Sequence, residues 1–352
     1  MTELKKPDKR AIDAFRAAML GWYDIHARKM PWRAPPRKRP DPYHEWLSEI
    51  MLQQTTVPTV GRYFTRLIEL WPSVADLAAA PVEQVMHEWA GLGYYARARN
   101  LHKCAKVIVE QYGGEFPADI DMLKTLPGIG DYTANAIAAI AFDQPSVVVD
   151  GNVERVMARW FAIETPLPNG KKAMKAAAAL LSEGRTDRPG DYAQALMDLG
   201  AMICTPAKPA CGLCPVSKGC DARKTGIAGQ LPRRAAKKAK PVRYGELYWI
   251  EDKAGNVWLE RREESAMLGG MPGFPTSEWR EERPQGAENA RILGQIRHSF
   301  THFDLYLDIV KRPVSRHRPH DKGWWVTRGE LPRAGLPTLF AKVVKLLQTR
   351  GV

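Results

Sequence analysis

Two carboxylates stand in sequence settings that suit the cleavage of a glycosidic bond. Glu49 lies in the apolar stretch 46–55, where it shares one face of a predicted helix with Gln53. Apolar surroundings take water away from a carboxyl group, which raises its pKa and suits it to donate a proton. Asp150 ends the apolar run 147–149 and can stay ionised beside a developing cation. Glycosidic cleavage uses such a pair, one acid for the leaving group and one carboxylate for the oxocarbenium-like sugar.

Each carboxylate taken alone also has a structural interpretation. Glu49 would then be an exposed residue of a surface helix, and Asp150 would be the N-cap of a helix over residues 153–160. Burial of Glu49 and convergence of the two side chains on one site are therefore the observations that decide between the interpretations.

Four of the five cysteines lie within seventeen positions. Cys204, Cys211, Cys214 and Cys220 have the spacing C-x6-C-x2-C-x5-C, whereas Cys104 lies in a separate helical segment. Four thiolates so close in sequence can bind one metal centre, and both zinc and a [4Fe–4S] cluster accept four of them. The spacing leaves the choice between these two open, and disulfides are disfavoured in a cytosolic chain.

A glycine-containing turn opens an alanine-rich helix. Residues 126–130 read LPGIG, and the helix that follows is predicted to run through Ile140. Exposed backbone N–H groups at such a start can bind a phosphate oxygen. The pattern predicts a helix–hairpin–helix element at about residues 120–140, with Gly128 and Gly130 at the DNA backbone. A plain connector between helices is the alternative.

The bulk composition favours a polyanionic partner. The chain has 352 residues, 45% hydrophobic and 26% charged, with a formal net charge of +13, and such a balance favours nucleic acid or an acidic membrane surface. Neither a signal peptide nor an apolar run of roughly 18 residues is found, so we expect a soluble intracellular protein. The expected location is the cytoplasm, in association with the nucleoid.

The sequence changes character after about residue 222. Short helical patterns separated by Pro and Gly predict an all-α unit over residues 1–222. Residues 223–242 are rich in Lys and Arg and hold no acidic residue, which predicts a solvated, flexible linker that can also contact phosphate. Residues 243–352 predict an α+β domain. Its expected elements are a hairpin formed by 245–250 and 256–261, a strand at 303–309 and a final amphipathic helix after Pro337.

The order of these motifs resembles the adenine DNA glycosylases, the MutY family within the endonuclease III superfamily. The match runs from about Trp22 to Cys220. It rests on the segments PWR, SEIMLQQT, GLGYYARARNL, LPGIG and VDGNV and on the four cysteines. More weakly, LGGMPGFP at 268–275 resembles the Nudix-like recognition domain of that family. The R-E-x-x-E-E run of a true Nudix hydrolase is missing after Gly270, so this domain should read a base and not cut a diphosphate.

The resemblance implies a multidomain fold and one activity. We expect an all-α helix–hairpin–helix glycosylase core, an iron–sulfur module at 204–220 with a [4Fe–4S] cluster on its four cysteines, and a C-terminal α+β Nudix-like domain. The implied reaction, a step of DNA base-excision repair, hydrolyses the N-glycosidic bond of adenine mispaired with 8-oxoguanine or guanine. The implied partner is double-stranded DNA, bound by a monomer.

The resemblance also implies roles for single residues. Glu49 would protonate adenine at N7 and Asp150 would stabilise the sugar cation, oriented by Tyr132 and Asn152. Because the bond cannot be reached inside a duplex, the adenine must be extruded. The residues implied to bind DNA or the extruded base are Trp32, Arg33, Leu52, Gln53 and Gln194, with Gln54 and Tyr94 filling the gap in the stack. Phe300, Thr301 and His302 would form the loop that reads the lesion.

Two positions bear on the reaction type, and a third bears on recognition of the lesion. Tyr132 stands where endonuclease III-type lyases have a nucleophilic Lys, and Glu154 stands where some family members have Lys. Both favour a monofunctional glycosylase. Thr301 replaces the Ser of the family's F-S-H triplet, keeping the hydroxyl and adding a methyl group.

Three other functions remain as alternatives. The chain could be an endonuclease III-type glycosylase and lyase for oxidised pyrimidines, a non-catalytic iron–sulfur DNA-binding protein, or a Nudix-type pyrophosphatase. The first needs the lysine that Tyr132 replaces. The presence of both Glu49 and Asp150 argues against the second, and the missing carboxylate run argues against the third.

Overall fold

The structure, a computed structural model, describes residues 6–182, 184, 186–236, 239–283, 291–314 and 322–351. Contacts between residues divide the chain into two compact units. The first comprises Met1–Ala78 and Lys103–Ala236, and the second comprises Ala79–His102 and Lys237–Val352. The segment Ala79–His102 thus belongs with the carboxyl-terminal residues, although helical segments flank it in the sequence.

Helices dominate the described chain up to residue 224. They are α1 (Lys9–His26), α2 (Pro42–Leu52), α3 (Val57–Leu70), α4 (Val74–Ala79), α5 (Val82–Glu88), α6 (Ala96–Tyr112), α7 (Ile120–Thr125), α8 (Asp131–Phe142), α9 (Gly151–Trp160), α10 (Lys171–Ser182), α11 (Pro189–Met202) and α12 (Asp221–Lys224). Aspartate side chains cap four of these helices by accepting a backbone N–H of the first turn: Asp8, Asp41, Asp119 and Asp150. The predicted all-α core is confirmed. In the part of the chain that the structure describes, every helix is too short or too polar to span a bilayer.

One hydrophobic core of the first unit forms where α1, α8, α9, α10 and α11 pack together. Two glycines of α11 allow it to approach its neighbours closely. A Cβ atom on Gly190 would lie 2.6 Å from the carbonyl oxygen of Ala139, and one on Gly200 would lie 2.6 Å from the Cβ of Asn152. Larger residues at these two positions would push α11 away from α8 and from the start of α9.

The second unit contains two small sheets and a helix. Its elements are β1 (Val242–Ile250), β2 (Val257–Arg261), β3 (Pro272–Gly273), β4 (Arg291–Ser299), β5 (Asp304–Arg312), β6 (Gly323–Val326) and α13 (Thr338–Thr349). One sheet has the order β1-β5-β4, with β1 parallel to β5, and the other has the order β3-β2-β6. Phe340 and Val343 of α13 are buried in the core of this unit. The predicted strand at 303–309, the final helix and the α+β class are confirmed.

The predicted hairpin between β1 and β2 is wrong. The two strands belong to different sheets, and a single bridge, Glu251 to Val257, connects their ends. The turn itself forms, because the carboxylate of Asp252 accepts hydrogen bonds from the backbone N–H groups of Ala254 and Asn256. Alternation of apolar residues identifies a strand, but it does not determine which strand edge becomes its partner.

The basic segment after α12 is only partly solvated. Leu231 is buried, and its carbonyl oxygen accepts a hydrogen bond from Nε of Arg159 at 2.9 Å. The backbone N–H of Leu167 donates to the carbonyl oxygen of Arg233 at 2.8 Å. The first half of the predicted linker therefore packs on the helical unit, because its few apolar residues find places in that core. Lys237 and Lys238 lie outside the described residues.

Candidate active site

A cavity of about 340 Å³ in the first unit brings the predicted catalytic residues together. Glu49, Tyr132, Asp150 and Asn152 all line it. The predicted binding residues that also line it are Trp32, Arg33, Leu52, Gln53 and Gln194. This volume lies within the range of roughly 300–1,000 Å³ typical of small-molecule sites. Residues from five parts of the sequence thus converge on one space.

Glu49 is buried in the wall of this cavity, and only 6% of its surface is exposed. It lies on α2, which begins after the Asp41 cap and packs on α8. Burial raises the pKa of its carboxyl to about 7; a hydrogen bond from Tyr132 lowers the pKa, and the negative charge of Asp150 raises it. The interpretation of Glu49 as an exposed helix residue is therefore wrong. Near neutral pH this carboxyl can hold a proton and can also release it.

Asp150 has two functions at once. Its Oδ1 accepts the backbone N–H of Val153 at 2.7 Å and caps α9. Its Oδ2 accepts a hydrogen bond from the side-chain amide of Asn152, also at 2.7 Å, and the residue lines the cavity. The N-cap interpretation and the catalytic one are thus compatible.

Asn152 is held in place by Arg155. Nη2 of Arg155 donates to Oδ1 of Asn152 at 2.9 Å and to the carbonyl oxygen of Gly200 at 2.6 Å. Nε of the same guanidinium donates to the carbonyl oxygen of Cys204 at 2.7 Å. A chain of hydrogen bonds therefore runs from Asp150 to the backbone of the first cysteine of the loop.

Two arginines at the cavity are anchored on one buried carboxylate. Asp198 is fully buried and accepts hydrogen bonds from Nη1 of Arg33 at 2.7 Å and from Nε of Arg28 at 2.5 Å. Because Asp198 neutralises part of their charge and fixes their orientation, both guanidiniums can line the cavity.

Sequence reasoning missed several residues of this cavity. Glu45, one helical turn before Glu49 on α2, lines it and is only 2% exposed. The spacing of Glu45 from Glu49 contained the signal, since residues four apart share a helix face. The other missed lining residues are Arg28, Met30, Thr55, Val57, Ile140, Gly151 and Met197. Their apolar members resemble ordinary core positions, and nothing in the sequence distinguishes them from such positions.

The four cysteines of the loop 204–220 are free and half-buried. Burial, with a smaller contribution from the charges of the other three thiols, raises the pKa of Cys214 to about 11. Nη1 of Arg159, a buried residue, lies 3.2 Å from Sγ of Cys204 and donates to the carbonyl oxygen of Thr205 at 2.8 Å. Cys104 is buried elsewhere in the fold.

The glycine turn joins two helices as predicted. It connects α7 to α8 through residues 126–130, where Gly128 has a φ of 80°, a conformation that favours glycine. Gly130 is the N-cap of α8, and a Cβ atom built on it would meet nothing within 4 Å. The backbone at this helix start is therefore open to a close approach, as a DNA phosphate would require.

Besides Gly128 and Gly130, five predicted binding residues lie outside the cavity. Gln54 and Tyr94 are exposed, and each has a left-handed backbone, with φ of 61° and 50°. Such strain is costly for residues other than glycine and is often found at functional sites. Phe300, Thr301 and His302 form the loop between β4 and β5, which we call the β4–β5 loop.

The β4–β5 loop contacts Tyr94, which belongs to the same unit. The hydroxyl groups of Tyr94 and Thr301 are 2.7 Å apart. Phe300 packs on Trp279 and Phe303, with ring centroids 5.7 and 4.9 Å apart, and Thr301 and His302 are exposed. The aromatic residue thus anchors the loop, and the two polar residues are presented to solvent beside Tyr94.

Comparison with known proteins agrees with both halves of this architecture. Residues 47–183 match the HhH-GPD superfamily of base excision DNA repair proteins, and residues 247–346 match the NUDIX domain. Among solved structures, a thermostable thymine-DNA glycosylase is 29% identical, with a TM-score of 0.54 over 61% of this chain and 98% of that one. Endonuclease III in a non-covalent DNA complex, 24% identical with a TM-score of 0.52, shares the fold over 63% of this chain and 99% of its own.

Relatives match almost the whole length of the chain. It is 32% identical to the adenine DNA glycosylase of Homo sapiens, over 97% of this chain and 75% of that protein. It is 30% identical to the adenine DNA glycosylase of Buchnera aphidicola subsp. Baizongia pistaciae (strain Bp), over 94% of this chain and 95% of that protein. With both domains matched in order and a cavity that holds two differently placed carboxylates, this chain belongs to the adenine DNA glycosylase family.

Proposed function

We propose that this DNA glycosylase hydrolyses the N-glycosidic bond of adenine mispaired with 8-oxoguanine or guanine, and that it does not cut the DNA strand. The observation that carries the proposal is that Glu49 and Asp150 line one cavity in unlike surroundings. Burial raises the pKa of Glu49 to about 7, whereas Asp150 accepts two hydrogen bonds at 2.7 Å. Environments that separate two carboxyl groups in this way assign one as the acid and the other as the ionised partner.

Glu49 is the general acid of the proposed reaction. Adenine is a poor leaving group as an anion, and protonation at N7 lets it depart as a neutral base. A pKa near the working pH is best for such a transfer, because the acid is then protonated often enough and still gives up its proton readily. The Tyr132 hydroxyl, hydrogen-bonded to the Glu49 carboxyl, orients it and is itself kept protonated, since burial raises its own pKa.

Asp150 stabilises the positive charge that develops on the sugar. The side-chain amide of Asn152 and the N–H of Val153 fix the orientation of its carboxylate before the reaction starts. A charge that is already in place costs no reorganisation when the bond breaks, so it lowers the barrier more than a mobile one would.

The extruded adenine occupies the cavity. Trp32 and Leu52 supply apolar walls, and Arg33, Gln53 and Gln194 supply polar groups at its edges. Gln54 and Tyr94, whose strained backbones present them to solvent, fill the space that the base leaves in the stack. Gly128 and Gly130 hold the DNA backbone at the start of α8.

The β4–β5 loop recognises the opposite base. An adenine pocket alone cannot distinguish a mispaired adenine from the adenine of a normal A·T pair, so a second element must inspect the partner. 8-Oxoguanine differs from guanine by a C8 carbonyl and an N7–H donor. The hydroxyl of Thr301, held by Tyr94, and the ring of His302 supply groups that can form hydrogen bonds with the C8 carbonyl and the N7–H of this base.

The product is an abasic site in an intact strand. A lyase forms a Schiff base through an amine, and the phenol of Tyr132 in the cavity cannot do so. Near the start of α9, Glu154 stands in place of a second candidate amine and pairs with Lys171 at 3.1 Å. The proposed nucleophile that attacks the sugar is therefore water.

A [4Fe–4S] cluster is the proposed cofactor, bound by Cys204, Cys211, Cys214 and Cys220. Within the described ranges, no group of three or more Cys, His, Asp or Glu side chains converges as on a single ion. The proposal is supported by four thiols within the loop 204–220, all of them free, and by Arg159, which supplies a positive charge beside Cys204. The cluster would tie the loop together and so fix the carbonyl group that Arg155 binds.

The test is a base-release assay on duplexes containing A opposite 8-oxoguanine, G, C or T, and on oxidised pyrimidines. Adenine release from the first two, with strand breaks only after added alkali, is the expected result. Release of oxidised pyrimidines, or strand cleavage at neutral pH without further treatment, would contradict the proposal.

A further inference from the structure

A second carboxyl group shares the cavity with Glu49. Glu45 precedes it by four positions on α2, so their Cβ atoms are about 5–6 Å apart on one helix face. Both residues line the cavity, and Glu45 is the more deeply buried, at 2% exposure against 6%. Neither role proposed above for a carboxylate, the acid or the cation partner, uses Glu45.

We propose that Glu45 holds a reserve proton for Glu49, so that the two carboxyl groups act as one proton-sharing pair. The inference rests on the proposed role of Glu49 as the acid. When Glu49 has passed its proton to adenine N7, the O–H bond of Glu45 breaks as an O–H bond forms on Glu49. The negative charge then lies on Glu45, and water restores the missing proton after the base has left.

The charges around the pair support this arrangement. Burial raises the pKa of Glu45 well above its ordinary range, the charge of Glu49 raises it further, and Arg33 lowers it. Burial therefore favours the protonated form of both carboxyl groups, and the charge of Glu49 adds to this effect at Glu45. The other titratable or charged groups that face the pair are Arg28 before α2, Tyr23 on α1, Tyr132 on α8 and Asp150 at the start of α9. Helix α3 contributes the neutral Val57 to the same cavity.

The pair predicts a particular dependence of the rate on pH. With one carboxyl, activity above the pKa falls tenfold for each pH unit. With two that share protons, the singly protonated state still carries its proton on Glu49 for part of the time, so the decline is shallower. Between about pH 7 and 9 the wild-type rate should therefore fall less steeply than that of an enzyme lacking Glu45.

The first measurement is single-turnover adenine release from pH 5.5 to 9, with each profile normalised to its own low-pH plateau. Glu45→Gln keeps the shape of the side chain but holds no reserve proton. Near pH 9 its normalised rate should be on the order of tenfold below that of the wild type. Glu45→Asp, which can still titrate, should recover part of the shallow slope. Equal slopes for the wild type and Glu45→Gln would overturn the inference.

The second measurement does not depend on activity. In the Glu49→Gln protein at pH 8, infrared difference spectroscopy should still detect the carbonyl stretch of a protonated carboxyl. That band should disappear in the double variant Glu45→Gln/Glu49→Gln. Its absence from the single variant would mean that Glu45 holds no proton. If Glu49→Gln instead released adenine at a normal rate, the proposed acid would be wrong, which is a different result.

Discussion

Arg155 and Asn152 are joined by a hydrogen bond of 2.9 Å, from Nη2 of the arginine to Oδ1 of the amide. Because its Oδ1 is engaged, Asn152 presents its NH₂ group to the carboxylate of Asp150. The same guanidinium binds the carbonyl oxygen of Cys204. The orientation of the Asp150 carboxylate is therefore linked, through Asn152 and Arg155, to the backbone of the cysteine loop.

Arg155→Lys should slow adenine release while leaving DNA affinity nearly unchanged. Lysine keeps the positive charge, but its single ammonium cannot bind three acceptors in the geometry of a planar guanidinium. Losing hydrogen bonds of this charged type, worth about 1.5–3 kcal/mol each, predicts a rate at least about tenfold lower. The measurement is the single-turnover rate. Arg16→Lys is the matched control, since Nε of Arg16 binds the carbonyl oxygen of Leu181 and Arg16 does not line the cavity. An equal loss in both variants would rule out a specific role for Arg155.

The substitution Asp150→Asn keeps the N-cap of α9 but removes the negative charge of the carboxylate. Asn is as good an N-cap as Asp, so the free energy of unfolding should change by less than about 1 kcal/mol. The rate of adenine release should nevertheless fall about 10²–10³-fold, because the sugar cation loses its ionised partner. Thermal unfolding checks the expected stability, and single-turnover kinetics check the expected loss of rate. Asp8→Asn, at the cap of α1, serves as the control and should keep a normal rate. A fully active Asp150→Asn would refute the assignment.

Glu49→Gln should abolish adenine release, leave DNA binding largely intact and stabilise the fold above pH 5. The pKa of Glu49 is raised from 4.5 to about 7, so the folded protein keeps a proton that the unfolded chain releases. The contribution of the Glu49 carboxyl to the free energy of unfolding is therefore at its most favourable below about pH 4.5. It becomes unfavourable as the pH rises towards 7. Removing the carboxyl should therefore increase the free energy of unfolding at pH 7 by up to roughly 3 kcal/mol. A variant that is less stable than the wild type at pH 7 would contradict the burial argument.

The site was predictable where the chemistry depends on residue type. Glu49 and Asp150, whose proposed roles need a carboxyl group, were singled out from their sequence settings, and the structure places both in one cavity. The spacing of Glu45 from Glu49 shows that they share a helix face, but a sequence does not show whether that face is buried, and the same holds for Arg28. Only the packed structure shows that α2 carries two carboxyl groups into one cavity.

The fold was predictable element by element, but its pairings were not. The all-α core, β5 and α13 follow from local patterns of apolar residues. The grouping of Ala79–His102 with the carboxyl-terminal unit and the pairing of β1 with β5 depend on contacts between distant parts of the chain. Local periodicity contains no information about such contacts.

Anaerobically purified protein should be brown and contain about four irons per chain. Cys214→Ser should lose iron, because a hydroxyl replaces one of the four thiolates. Cys104→Ser is the control and should keep its iron, since Cys104 is buried apart from the loop and burial raises its pKa to about 12. The measurement is the content of iron and acid-labile sulfide per chain in each variant. Stoichiometric zinc without iron would contradict the proposed cluster.

The hydrogen bond between Tyr94 and Thr301 should affect lesion preference more than basal activity. Thr301→Ala removes the hydroxyl, and its cost on A opposite 8-oxoguanine should be about 1–3 kcal/mol if a contact to the base edge is lost. On A opposite G the cost should be smaller, because that base lacks the C8 carbonyl and the N7–H donor. Thr301→Ser is the matched control, since it keeps the hydroxyl and removes only the methyl group, and it should keep the preference.

Tyr94→Phe tests whether the Tyr94 hydroxyl orients that of Thr301, which lies 2.7 Å away. Phenylalanine keeps the ring that we propose fills the stack, but it cannot hold the Thr301 hydroxyl in place. If the two hydroxyls act together, the double variant Tyr94→Phe/Thr301→Ala should lose little more than Thr301→Ala alone. Binding and single-turnover rates on both mispairs complete the cycle. Additive losses, or equal losses on the two mispairs, would show that this pair does not read the opposite base.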